Sequence, residues 1–268
     1  MIEPRRPPTS ARGPWWLAAA VAIATLLGCQ TQLTGQSSPP APAPSWSSSA
    51  APVPPTPVAA GSPSAVPLSL GGAVPTHGKG TFAYAGGRGP VLGKSGPVKR
   101  FKVAVERGSG EDLADFTKQV EATLGDPRSW VGEGKARLQR VPGSERADFT
   151  IFLATRVTAG DMCSAGGTNI RVGGRPYTSC RTAGKAIINL DRWRLSAGPY
   201  LRAKIPLAVY RAYVINHEVG HEFGHHHEGC PRRGGPAPVM IQQTLTLRGC
   251  VPYAWPRVKG HRLAGPRL

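Results

Sequence analysis

The chain has 268 residues and carries 33 Lys and Arg against 15 Asp and Glu, a formal net charge of +18. That length holds one or two domains with a core of ordinary size, and no repeat of 20 to 50 residues points to a solenoid. The basic excess favours anionic partners such as lipid headgroups or cell-wall polymers, while the lack of a basic helix or an aromatic stacking motif argues against nucleic acid.

The N-terminus opens with Arg5, Arg6 and Arg12 and then an apolar run from Trp15 to Leu27. The run is shorter than the about 20 residues a spanning helix needs, so residues 1–28 read as an export signal. Leu26-Leu27-Gly28-Cys29 resembles a bacterial lipobox, which implies lipidation of Cys29 and an anchor on the outer face of the cell membrane; plain secretion is the alternative. Residues 29–76 contain no Lys, Arg, Asp or Glu and are rich in Pro, Ser and Ala. Such a stretch buries too little apolar surface to offset its ordering entropy, and is expected to be a disordered tether in front of a folded domain at 77–268.

Within that domain, residues 99–106 (KRFKVAVE) alternate as a strand, with Phe101, Val103 and Val105 on one face. A helix is expected next, capped by Ser109, carrying Leu113, Phe116, Val120 and Leu124 at helical spacing and stopped by Gly125 and Pro127. Residues 135–141 and 147–155 read as strands, the second as a central one. Residues 168–180 read as a hairpin or loop turning at Gly173-Gly174, and 185–190 as a further strand. Pro206 suits the first turn of a helix running to about Gly224, with Tyr210, Val214, His217 and His221 on one stripe and Val209, Tyr213, Val219 and Phe223 toward a core. The rest is too rich in Pro and Gly for regular structure. The order predicts an α+β fold, a twisted mixed sheet with an irregular C-terminal part. Beyond Cys29 the cysteines are Cys163, Cys180, Cys230 and Cys250. An even number in an exported domain implies two disulfides; of three possible pairings, the nearest-neighbour one, Cys163–Cys180 and Cys230–Cys250, is expected.

Five of the seven histidines fall within residues 217–227. His217 and His221, four apart on a helix, direct both imidazoles to one face, and Glu218 stands where its carboxylate flanks a metal-activated water without being a ligand. Gly224 can end the helix in the left-handed region and return the chain so that His227 approaches the same ion. Three imidazoles with one open position suit a catalytic Zn2+. A plain metal-scavenging tract would need neither Glu218, Gly224 nor this spacing; His225 and His226 are left as bystanders or substitute ligands, and His77 and His261 as surface residues.

The pattern H-E-x-x-H-x-x-G-x-x-H at 217–227 resembles that of the metzincin clan of zinc endopeptidases. "NHEVGHEFGHHHEGCP", "APVMIQQT" and "GCVPYAWP" look like an uncharacterised family of actinobacterial exported zincin-like domains. The resemblance implies a zincin-like fold, a methionine turn beneath the metal at Met240, Glu218 as general base, and hydrolysis of an extended peptide laid along an edge strand, for which 185–190 is the candidate. It departs from the clan at Gln242, where some members carry a tyrosine that serves as fifth ligand or oxyanion donor; Tyr253 is a substitute donor or a packing residue. A Cys230–Cys250 bond would brace the loop of His227. The expected protein is thus a monomeric, extracytoplasmic zinc peptidase acting on a peptide or protein, held by a lipid anchor and attracted to anionic wall polymers. The alternatives are a non-hydrolytic zinc lipoprotein that binds such polymers and a zinc amidase on wall peptides.

Overall fold

The computed structural model describes residues 66–268, so the export signal, Cys29 and the tether up to residue 65 lie outside the described residues. The elements in order are β1 (Phe82–Tyr84), β2 (Val91–Leu92), β3 (Val98–Glu106), α1 (Leu113–Gly125), a 3-10 turn (Trp130–Glu133), β4 (Arg137–Arg140), β5 (Phe149–Ala154) and α2 (Arg156–Ala165). There follow β6 (Arg171–Val172), β7 (Arg175–Pro176), β8 (Cys180–Thr182), β9 (Lys185–Asn189), α3 (Leu190–Leu195), α4 (Gly198–Arg202), α5 (Leu207–Glu222), β10 (Arg257–Val258) and β11 (His261–Arg262). The fold is α+β with a mixed sheet.

The sheet runs β2-β4-β3-β5-β9-β8, with β1 also on β3. The inner pairs β4/β3, β3/β5 and β5/β9 are parallel, and the outer strands β2, β1 and β8 join antiparallel. Because side chains alternate along a strand, β5 sends Phe149, Ile151 and Leu153 to one face and Phe152 and Ala154 to the other. The first face packs against Phe116, Val120 and Leu124 of α1 and Tyr213, Val214 and Val219 of α5. The second packs against Ala159 and Cys163 of α2. Burial on both faces explains why β5 and β9 read as nearly continuous apolar runs.

Several expectations shift. The cap of α1 is Asp112, whose Oδ1 accepts from Asp115 N at 2.8 Å, whereas Ser109 Oγ accepts from Glu111 N at 3.4 Å. Strand β9 is an interior strand between β5 and β8, so 185–190 offers no free edge; β8 is the strand that does. Residues 67–76, assigned to the tether from composition, lie against the domain through main-chain bonds that composition does not reveal. The N–H of Leu207, at the start of α5, donates to Pro67 O at 2.9 Å, that of Leu70 to Arg194 O at 2.7 Å, and that of Val157, in the first turn of α2, to Thr76 O at 3.2 Å. Two of these three donors are the unpaired amides that every helix N-terminus presents. Both expected disulfides are present, with Cα–Cα distances of 6.1 Å for Cys163–Cys180 and 5.7 Å for Cys230–Cys250. Among the described residues no helix is long and apolar enough to cross a membrane.

Candidate metal centre

Helix α5 is buried along almost its whole length, from Leu207 and Tyr210 through to Gly220, which makes it a rigid support for side chains at its C-terminal end. The His217 ring sits one turn below the His221 ring, centroids 4.8 Å apart. After the cap residue Phe223 the chain turns through Gly224, whose φ of +83° is a conformation that side-chain-bearing residues rarely adopt. That turn brings His227 back over the helix. One ligand atom from each of His217, His221 and His227 lies within 4.8 Å of the other two, and the Nε2 atoms of His221 and His227 stand 3.2 Å apart. Two imidazoles bound tetrahedrally at about 2.1 Å to one ion would hold their nitrogens about 3.4 Å apart, so the donor set fits a metal ion.

The rings are held in the tautomer that ligation needs. Nδ1 of His217 bonds Val239 O at 2.8 Å and Nδ1 of His221 bonds His225 O at 2.7 Å. A carbonyl can only accept, so each Nδ1 carries the proton and each Nε2 keeps a free lone pair. Burial lowers the affinity of all three rings for a second proton: His217 falls well below the usual histidine range, His221 to about 4, and His227 also falls. At neutral pH the three are therefore uncharged, as ligands must be.

Each of these histidines is followed by a glutamate, and the three carboxylates differ in use. Glu222 accepts from Nε of Arg181 in β8 at 3.1 Å and so ties the helix to the sheet edge. Glu228 accepts from Arg262 at 3.0 Å and from Gly265 N at 3.1 Å, tying the His227 segment to the C-terminal residues. Glu218, 4% exposed, has no hydrogen-bond donor among the described residues and lines the cleft beside the three rings. Burial first, and the Glu222 carboxylate second, push its carboxyl up to about 8.

Met240 is fully buried. A Cβ at Gly220 would meet Met240 Sδ at 2.5 Å and Trp130 Cζ2 at 2.6 Å, so the x of the motif at that position has to be glycine for the methionine and indole to reach the helix. The main chain around Met240 also serves both ligand sources, Val239 O toward His217 and Met240 O accepting Glu228 N at 3.1 Å. Gln243 fixes this turn: its Oε1 accepts from Tyr200 OH and Tyr253 N, and its Nε2 donates to Pro238 O and Tyr253 O. Gln242, by contrast, faces the cleft. Tyr253 is not a donor to the site, because its hydroxyl is spent on Arg257 O at 2.7 Å.

Sequence reasoning missed four supports. Asn216 is fully buried, its Oδ1 accepting from Ser129 Oγ at 2.7 Å and its Nδ2 donating to Ala254 O at 3.0 Å. Trp130 donates its indole N–H to Asn216 O at 2.8 Å, and Arg262 lies over its ring at 4.6 Å. His225 is more than a bystander, since it stacks on Trp130 at 4.4 Å while its carbonyl orients His221. Only the position of Asn216 beside the motif could have flagged any of these. His226, His77 and His261 are exposed.

The cleft in front of the rings has a volume of about 400 Å³ and is closed on one side by Cys180 and Arg181 of β8. Residues 68–253, which include the whole histidine site, match a family described as "Protein of unknown function (DUF3152)". The chain belongs to the DUF3152 family. No curated protein and no solved structure matches it. In this DUF3152 chain the β10/β11 hairpin and the tail that clamps Glu228 lie beyond the matched residues.

Proposed function

We propose that this protein is an exported zinc endopeptidase of the zincin type, lipid-anchored through Cys29. The observation that carries the reading is the contrast among the three glutamates: a cleft walled by three neutral imidazoles also holds one buried carboxylate with no structural partner among the described residues. A binding protein has no use for an unpaired carboxylate there, whose burial is costly. His217, His221 and His227 would hold the ion, and zinc would supply a Lewis acid that polarises a carbonyl and makes water nucleophilic near neutral pH. Glu218 takes the proton of the attacking water and returns it to the leaving amine. Strand β8, which among the described residues pairs only with β9, offers its other side to an extended peptide, with Arg181 and Gln242 facing the cleft.

The test is Glu218→Gln, a change that keeps shape and removes the base. Zinc content should stay at one ion per chain while cleavage of a broad peptide library falls at least about a hundredfold. If the unaltered, zinc-loaded chain cleaves no more than the variant, the peptidase reading fails.

A further inference from the structure

Beside the apolar Ile170, the cleft lining includes the uncharged hydrogen-bonding groups of Thr168, Asn169, Thr178, Ser179 and Gln242. Among them stands one guanidinium, Arg181. Along β8 the flanking Cys180 and Thr182 are buried, while the Arg181 side chain keeps 38% of its surface exposed. Its partner Glu222 keeps only 6%, so the ion pair is anchored on the helix side and open on the cleft side. The Glu222 bond uses Nε at 3.1 Å. An arginine has five N–H donors in a planar fork, so the terminal Nη groups remain for a second carboxylate. Glu222 restricts the guanidinium's motion before any ligand arrives, which reduces the ordering cost of binding. The basic excess of the chain, 33 cationic against 15 anionic side chains, works in the same direction by raising the local concentration of anionic ligands.

Resting on the peptidase reading for the use of the cleft, we propose that Arg181 is its specificity-determining residue and selects peptides that place a carboxylate beside the scissile bond. The carboxylate can belong to an acidic side chain, as in an endopeptidase, or to a free C-terminus, in which case the same chemistry makes a carboxypeptidase.

The probes are short fluorescein-labelled peptides with one central Glu, Gln or Lys, each with a free or an amidated C-terminus. Binding is read by fluorescence anisotropy on the full chain carrying Glu218→Gln and loaded with zinc, so that nothing is turned over. A carboxylate peptide should bind about tenfold more tightly than its Gln counterpart, and the Lys peptide should bind least. Arg181→Gln should erase that difference, and Arg181→Lys should keep part of it. Glu222→Gln should enlarge it by freeing the guanidinium; a merely structural ion pair would make Arg181→Gln and Glu222→Gln equally harmful. If only the free-acid forms gain, the selected group is a C-terminus; if the central Glu gains in amidated peptides, it is a side chain. Equal affinity for Glu and Gln peptides, equal loss in both variants, or no binding of any peptide overturns the proposal. Cleavage by the chain with Glu218 intact is scored separately. Selective binding without cleavage removes the peptidase reading and leaves Arg181's role standing, whereas cleavage without selectivity does the reverse.

Discussion

Two of the proposed ligands come from the C-terminal half of a buried helix and the third from a loop, and the two sources are secured in different ways. His217 and His221 inherit their positions from α5, whose own residues fill the core between the sheet and the 237–254 region. Their spacing follows from helix geometry alone. His227 belongs to a segment with no regular structure of its own, fixed by Glu228 N to Met240 O, Gly229 N to Pro266 O at 2.7 Å, and Leu268 N to His227 O at 3.0 Å. The helix half is held by packing, and the loop half by a small number of polar contacts to distant chain. A packed support tolerates the loss of any one contact better than a hydrogen-bonded one.

The largest effect is expected where the helix half depends on a polar contact after all. Asn216→Ala would strip partners from Ser129 Oγ and Ala254 O, both buried, at about 1–3 kcal/mol each, for a loss on the order of 2–6 kcal/mol in urea unfolding. Little change in unfolding midpoint would mean that packing alone positions α5. Next comes Glu228→Ala, which keeps those main-chain bonds but removes the side-chain anchor of the loop half, its bonds to Arg262 and to Gly265 N. Metal affinity should fall about 10- to 100-fold in competition with a chelator, the usual range for a support behind a ligand, with a much smaller effect on stability of the apo chain. A loss of stability as large as that of Asn216→Ala would erase the distinction between the halves.

The smallest effect is a pH dependence. All three ring pKa values are lower in the folded chain than the usual 6.5. Between these values the unfolded chain takes up protons that the folded one refuses. The apo protein should therefore hold its full stability above about pH 6.5 and lose it progressively as pH falls toward about 4. Metal should stay bound through pH 6 and be released only as His221, at about 4, begins to protonate. Release of metal already at pH 6.5 would show that the rings are not withdrawn from water as described.

The same division governs what could be read from the sequence. His217, Glu218 and His221 are legible because one helical period places them, and Gly224 because a left-handed turn favours glycine. Residues contributed by distant chain are not: Trp130 and Ser129 meet Asn216 across separations of 86 and 87 residues, and Arg262 reaches Glu228 across 34. Helix α2 escaped notice because its face toward the sheet is made of Ala159, Gly160 and Cys163, too small to mark an apolar stripe. The stretch 67–76 escaped because its attachments are main-chain bonds, to which side-chain composition is blind. Strand β8 has three residues, too short for an alternation to stand out, and its absence from the reading left β9 wrongly at the edge.

The Cys230–Cys250 bond closes a ring of sequence separation 20, and Val239, Met240 and Gln243 all lie inside it. Such a closure removes about 3 kcal/mol of chain entropy from the unfolded state. The disulfide therefore acts on the search for the site more than on the finished site. With the ring closed, the carbonyl that receives His217 and the amide that orders the turn explore a small volume before α5 has docked; with it open, the same segment must find the helix as a free coil. Oxidation would thus shorten assembly of the proposed metal site.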